Sequence, residues 1–432
     1  MRLPGLRGTR PTATLRNSGS MILGTAISQI AIAASIPIIT RLYSVSELGT
    51  SAVLVSLFST LSIIGCFRYE IAIPLPKATD HAIALVRAAV VICTIFALVL
   101  ACFQGMFIIF YRPRFADIDI FGLFIAVGYF HATSLMSIGN MTAIRSERYS
   151  TISRARILVL ILQVPLQLIL GLIGANTIGL LVGYATANYG ASLYMLLKWR
   201  NANRTRVPSA LTRHVLADYR GYPLHTSWAA ILNTVSLEAP LLYFGIRYST
   251  SRAGYVGMVQ TIVAVPLSLV TSSVGLAIYG EWGKGRILTG DHVLTLRAQT
   301  KWLLLRTAAL SICYVAVAAI ATRVLATPVL GQDWAALWQY VIAIGPFYGA
   351  IAIANPTGWL LELFGETRLT LTRSASRIVS LAGTILILEV LRPSTLDAAR
   401  ILSVYGIIAA GLFILFSIRP LIHPRHTDLE ER

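Results

Sequence analysis

Charge is what this sequence has least of. Only 12% of its 432 residues are Asp, Glu, Lys or Arg, about half the roughly 25% usual in a soluble domain. So few charges cannot cover a water-facing surface, and the 56% of residues that are apolar must face lipid instead. Acid is scarcer than base, 18 Asp and Glu against 36 Lys and Arg. This excess of base does not indicate nucleic acid, because the basic residues stand between apolar spans and not on one soluble face. Cysteine is rare too. Cys66, Cys93, Cys102 and Cys313 lie in or beside apolar spans without metal-ligand spacing and read as small core residues, not disulfides. His423 and His426 are spaced His-x-x-His but have no Cys or carboxylate partners for zinc. A Gly-Lys phosphate loop, a Gly-x-Ser-x-Gly elbow and a Cys–His pair are all missing. The reading is therefore a chain that is not an enzyme, with no catalytic residues, no metal and no ATP-driven pumping.

What is present is a succession of apolar windows, near 20–40, 48–66, 83–110, 117–140, 156–174 and 176–197, then 223–245, 254–280, 302–325, 336–360, 374–391 and 399–418. Each approaches the ~20 residues that a helix needs to cross a bilayer. The expected fold is an all-α polytopic membrane protein of about a dozen transmembrane helices. Pro37, Pro165, Pro240, Pro266, Pro346 and Pro356 fall within windows, where they mark kinks or cavity-lining stretches. Thr40-Arg41-Leu42-Tyr43 follows the first window in place of a small-residue cleavage site, so that window reads as a retained helix.

Lys and Arg set the orientation. With the N-terminus inside and the spans alternating, most of the basic residues fall on the inside. The outside keeps only Arg41, Arg112, Arg114, Arg247, Arg252, Arg323, Arg392 and Arg400. Both termini are then cytoplasmic. The expected division is a basic N-terminus over 1–19, a six-helix lobe over 20–197, a cytoplasmic linker over 198–222, a second six-helix lobe over 223–419 and a tail over 420–432. Residues 209–220 read either as an amphipathic helix on the inner surface or as a charged loop.

The halves share a turn. Tyr43-Ser44-Val45-Ser46-Glu47-Leu48-Gly49 follows the first span and Tyr248-Ser249-Thr250-Ser251-Arg252-Ala253-Gly254 follows the seventh. Both read Tyr-Ser-x-Ser-x-x-Gly on the same side of the membrane, as a parallel duplication would. The Ser suits a cap for the next helix.

The first stretch resembles the polysaccharide-repeat-unit flippases, the bacterial O-antigen and exopolysaccharide translocases. The matching positions are Pro37, Thr40, Arg41, Leu42, Tyr43, Glu47 and Gly49, then Arg68, Tyr69, Glu70, Ala72, Ile73, Leu75 and Pro76. Arg220-Gly-Tyr-Pro223, Ala253-Gly-Tyr-Val-Gly-Met258 and Val265-Pro-Leu-Ser-Leu269 are similar in the second half. The acidic cluster that relatives carry after the eighth helix is not matched at Glu281. The resemblance implies the multidrug/oligosaccharidyl-lipid/polysaccharide exporter superfamily, with two six-helix lobes around a central cavity and alternating access. It implies a bacterial inner-membrane protein that moves an undecaprenyl-pyrophosphate-linked oligosaccharide for O-antigen, capsule or exopolysaccharide synthesis. Its partners would be that lipid-linked oligosaccharide, membrane lipids, a polysaccharide polymerase and chain-length proteins. A drug exporter of the same superfamily, and a membrane glycosyltransferase or polymerase, are the rival readings. The Arg excess disfavours the first and the absence of a large catalytic loop the second.

A pyrophosphate head calls for Arg, whose planar fork pairs with phosphate oxygens, and a charge within a span normally faces a cavity or a partner. The substrate-binding candidates are Arg41, Arg68, Arg247 and Arg323. Arg41 either meets substrate or snorkels to headgroups. Arg68 and Glu70 form either structural contacts or a gate pair, and in a helix they would point different ways. Glu238, beside Pro240, is either a coupling site for a proton or sodium ion, which would be the only cofactor, or a fixed partner for an Arg. Gln29, Asn233 and Asn355 are amides that bond either sugar hydroxyls or neighbouring helices.

Overall fold

The structure is a computed structural model that describes residues 31–32, 34–111, 120–203, 205, 207–223, 227–282, 290–363 and 367–422. Gln29, the two histidines of the tail and the 1–19 segment lie outside the described residues. Every apolar window meets a helix. In the first half these are α1 (34–42), α2 (Val45–Ser62), the short α3 (Tyr69–Ala72), α4 (Thr79–Tyr111), α5 (Ile120–Arg145), α6 (Tyr149–Leu172) and α7 (Asn176–Ala202). The linker contains α8 (Ser209–Asp218), so 209–218 is a helix and not a charged loop. The second half has α9 (Ser227–Arg247), α10 (Thr250–Val259), α11 (Val265–Trp282), α12 (Gly290–Leu325), α13 (Leu337–Ala354), α14 (Trp359–Leu363), α15 (Thr367–Leu391) and α16 (Thr395–Ile422). Among the described residues there is no strand, and nine helices are long and apolar enough to cross a membrane. The chain is an all-α polytopic membrane protein, and about twelve spans in two lobes account for the helices.

The helix boundaries have local causes. Ser44 caps α2, its hydroxyl accepting from the Glu47 N–H, and Glu47 returns a bond from the Ser44 N–H. Ser249 caps α10 in the same way, accepting from the Arg252 N–H. There Arg replaces the acid and the reciprocal bond is lost. The repeated turn is thus one cap used twice. Pro266 follows a wide turn, Gln260–Ala264, between α10 and α11. Lacking an N–H, it leaves the Ile262 carbonyl four residues back without its helical donor. The Tyr314 hydroxyl of α12 donates to that carbonyl at 2.9 Å. Tyr314→Phe is expected to lower stability by about 1–3 kcal/mol by orphaning it, seen as a lower Tm in detergent. An unchanged Tm would mean that the carbonyl finds another donor.

The lobes meet along α2, which packs on α9 and α10. The crossing of α2 and α10 is reciprocal. A Cβ on Gly49 would overlap the Thr250 carbonyl oxygen, and a Cβ on Gly254 would overlap the Val45 carbonyl oxygen. Glycine is the seventh residue of each copy of the repeated turn, and the carbonyl it meets belongs to the third residue of the other copy. The two copies therefore contact each other about a local two-fold, as a parallel duplication requires. Nearby, Gly245 takes Val53, and Gly257 takes Ala52, so small residues bring the backbones together as they do in membrane interfaces.

Elsewhere the core is split by lobe. The larger cluster gathers Phe244, Val256, Val263, Trp334, Tyr340, Phe347 and Tyr405 in the C-terminal lobe. In the other lobe, Val207 and Val215 of the linker pack on Ala84 and Leu85 of α4. The linker is further held by bonds from Tyr69 to the Leu216 carbonyl and from Arg87 to the Val207 carbonyl. All four cysteines are free, Cys66 and Cys93 buried, Cys102 and Cys313 exposed.

Candidate functional site

Below the glycine crossing, toward the face where Lys and Arg concentrate, the lobes enclose a cavity of ≈ 330 Å³, within the range of small-molecule sites. Three arginines line it: Arg68 from the N-terminal lobe, and Arg373 and Arg377 from α15 in the C-terminal lobe. Asn233, Asn355, Thr370, Ser374 and Phe413 are among the other lining residues, and the described lining contains no carboxylate.

Each arginine is positioned by its own element. Phe67 and Arg68 both have positive φ, 47° and 61°, a conformation disfavoured for L-residues. This left-handed step closes the run of turns that follows α2 and starts α3, and it brings Arg68 to 3.9 Å from the Glu70 carboxylate. The expectation that the two point different ways assumed a helical chain, and the left-handed turn is why they meet. Arg68 Nε is buried without a hydrogen-bond partner. Arg377 is 5% exposed; one terminal nitrogen donates to Asn233 Oδ1 at 2.7 Å, while its Nε is buried without a partner. Arg373 lies one helical turn before Arg377, so the two share a face of α15. It donates to Ser417 Oγ at 3.0 Å and to the Gly358 carbonyl at 3.3 Å. Its guanidinium stands 4.1 Å from the Phe413 ring centroid. Arg68 and Arg377, each with an Nε that lacks an acceptor, thus line one cavity from opposite lobes.

Of the residues singled out in the sequence, the cavity brings together Arg68, Asn233 and Asn355. Asn355 also donates to Ser272 Oγ at 3.2 Å. Glu70 is buried beside Arg68 with one carboxylate oxygen unpartnered. Glu238 lies between the crossing and the cavity. Its carboxylate accepts from Ser56 of α2 at 2.8 Å and from Gln260 at 3.2 Å, which joins the lobes. No Lys, Arg or His among the described residues forms an ion pair with it.

Arg41, Arg247 and Arg323 are not brought to the cavity. All three sit at or near the C-terminal ends of helices that finish on the Arg-poor face, where a cation meets the negative end of the helix dipole. Arg41 donates to the Pro328 carbonyl at 2.8 Å, tying the end of α1 to the turn after α12. Arg247 pairs with Glu389 at 3.2 Å, and Tyr243 donates to the same carboxylate. Arg323 lies over the Trp338 ring at 5.0 Å.

Sequence reasoning missed Arg373 and Arg377 as lining residues. It counted both among the inside charges, Arg373 because the apolar window was begun at residue 374 and Arg377 because it falls in the first turn of that window. The four-residue spacing, continued in phase by the apolar face beyond, was the available signal.

The architecture has solved counterparts. Over 92% of this chain and 87% of the other it superposes on the lipid II flippase MurJ in an inward closed conformation, with TM-score 0.68 and 13% identity. Over 97% and 96% it superposes on an inward-facing multidrug resistance MATE family transporter of the MOP superfamily, with TM-score 0.61 and 12% identity. The chain has the fold of the MOP superfamily. A third counterpart, a MOP superfamily transporter from Pyrococcus furiosus described as having a binding pocket of reverse polarity, gives TM-score 0.58 at 14% identity over 95% and 96%. No family model and no curated protein matches the sequence.

Proposed function

We propose that this protein is a flippase that carries an undecaprenyl-pyrophosphate-linked oligosaccharide across the bacterial inner membrane by alternating access. It would serve O-antigen, capsule or exopolysaccharide synthesis. One observation carries the reading: three arginines from both lobes line one cavity whose described lining has no carboxylate. A cationic drug would be repelled there, whereas a diphosphate would be drawn in and could accept from both lobes at once. The amides and hydroxyls of Asn233, Asn355, Thr370 and Ser374 suit sugar hydroxyls. The fluorescently tagged lipid-linked repeat unit of the host, reconstituted in proteoliposomes, should be translocated. In cells, deletion should stop surface polysaccharide and accumulate lipid-linked units on the inner leaflet. Normal polysaccharide in a clean deletion would overturn the proposal, and export of cationic dyes in its place would favour the drug-exporter reading.

Glu238 is assigned the coupling role for a proton or sodium ion. It is a carboxylate within the membrane whose bond to Ser56 exists only while the lobes are engaged. Glu238→Gln retains an acceptor for Ser56 and removes the charge. Translocation by this variant is expected to lose its response to imposed proton and sodium gradients while substrate binding is kept. A full gradient response would exclude Glu238.

A further inference from the structure

The turn between α5 and α6 carries a second set of unmatched polar groups, and it shares no lining residue with the cationic cavity. The N-cap residue of α6, Arg148, gives the helix no side-chain cap. The first turn of this 24-residue helix therefore concentrates partial positive charge on N–H groups that no cap satisfies. Thr151, in that turn, is 4% exposed, and its Oγ1 has no hydrogen-bond partner. Thr151 lines a small cavity of ≈ 10 Å³, room for about one water, with Thr142, Ser146, Arg148, Lys198 and Trp199. A wider cavity of ≈ 470 Å³ adjoins it through Ser146, Arg148 and Trp199.

The cations are not equivalent. Arg145, in the wider cavity, is occupied: its guanidinium donates to the carbonyls of Ile73, Pro76 and Ala78 and holds the segment before α4. Arg148 is exposed, and Lys198 contacts Tyr194 through a long bond, 3.5 Å, to the hydroxyl and at 5.6 Å from the ring centroid. Both can therefore turn to an anion. The surroundings decide which anion. Ile157 and Ile161 on α6 and Leu193 and Leu197 on α7 are exposed at helical spacing, so an apolar strip runs from the cavity toward the bilayer centre. Trp199 stands at the cavity, where indole rings mark the headgroup level.

We infer that this turn binds the phosphate of an anionic phospholipid. Arg148 and Lys198 hold the phosphate in the wider cavity at the α6 N-terminus, the Thr151 hydroxyl reaches it through one water in the small cavity, and the acyl chains lie along the Ile157–Leu197 strip. The lipid would fix the depth of the N-terminal lobe on the face where basic residues concentrate. It does not depend on what the central cavity transports.

The test is native mass spectrometry of the full chain in detergent, titrated with phosphatidylglycerol or phosphatidylcholine. Phosphatidylglycerol adducts should dominate. Arg148→Ala with Lys198→Ala should weaken them about thirtyfold, from ~1 kcal/mol for each interfacial cation. Thr151→Val should weaken them about fivefold, while Arg148→Lys with Lys198→Arg should retain most binding and Arg213→Ala, on the exposed face of α8, should change nothing. Equal retention of the two lipids, or an unaffected Ala pair in a protein that elutes as a single species, would overturn the assignment. Displacement of the lipid by millimolar inorganic phosphate would also overturn it, by making the turn a site for free phosphate.

Discussion

Arg377→Ala is expected to slow translocation by about 10- to 150-fold, the loss of a charge-assisted hydrogen bond worth ~1.5–3 kcal/mol. Arg377 is buried, bonded at one nitrogen to Asn233 and unpartnered at Nε. A diphosphate entering the cavity would supply the missing acceptor. Lys at this position keeps the charge and loses the planar fork, so Arg377→Lys should fall between the alanine variant and the parent. The competing explanation is structural, because the same side chain ties α15 to α9. Asn233→Ala separates the two accounts: it breaks that tie and leaves the guanidinium in place. If Asn233→Ala slows transport and lowers the Tm as much as Arg377→Ala does, Arg377 is a brace and not a ligand; slowing at an unchanged Tm would instead report the contact of Asn233 itself with substrate. Arg68 gives a further check. It reaches the same cavity from the other lobe, so Arg68→Ala and Arg377→Ala should be non-additive toward a diphosphate-linked sugar. Strict additivity would place the two arginines on different ligands.

The sequence made the spans legible because apolar length is a strong signal in a chain that must satisfy its backbone within helices. It made the repeated turn legible as well, since Ser44 and Ser249 do the local work of capping that their spacing suggests. The site was harder. Asn233 and Asn355 were visible as amides inside spans, and Arg68 through the motif around it. Arg373 and Arg377 were hidden by the positive-inside rule itself, which assigns an Arg near a span end to the loop without asking which way the helix turns it. The same rule made Arg41, Arg247 and Arg323 conspicuous on the outer face. There, helix ends, Glu389 and Trp338 give them local partners. The Arg68–Glu70 pairing depends on two left-handed residues, Phe67 and Arg68, neither of which is a residue type that announces such a turn.

The second large effect is expected at Gly49. The reciprocal contact of Gly49 and Gly254 closes the Arg-poor side of the lobe interface, which the positive-inside rule makes the outer side, about 20 Å along α2 from its other end at Ser62. Even a methyl group at either glycine would overlap a backbone carbonyl of the other helix, and that carbonyl cannot move without shifting its helix. Gly49→Leu should therefore destabilise the closed crossing by at least ~1–3 kcal/mol, shifting the balance of states about 5- to 150-fold toward an open outer side. Arg41 and the Pro328 carbonyl, which also join the lobes on that side, add too little at an exposed site to hold it shut against such a clash. The measurement uses a single reporter, Leu237→Cys, at the cavity wall, in a chain whose four native cysteines are replaced by alanine. A membrane-impermeant maleimide applied from outside should not label it in the parent and should label it rapidly with Gly49→Leu present, while translocation falls. Labelling from the inner side reports whether the variant is folded, because a misfolded chain would label indifferently from both. Unchanged translocation with no outer labelling would show that α2 and α10 do not form the outer gate. If Gly254→Leu reproduces the Gly49→Leu phenotype, the local two-fold seen in the repeated turn is functional, since the same clash then acts from either half.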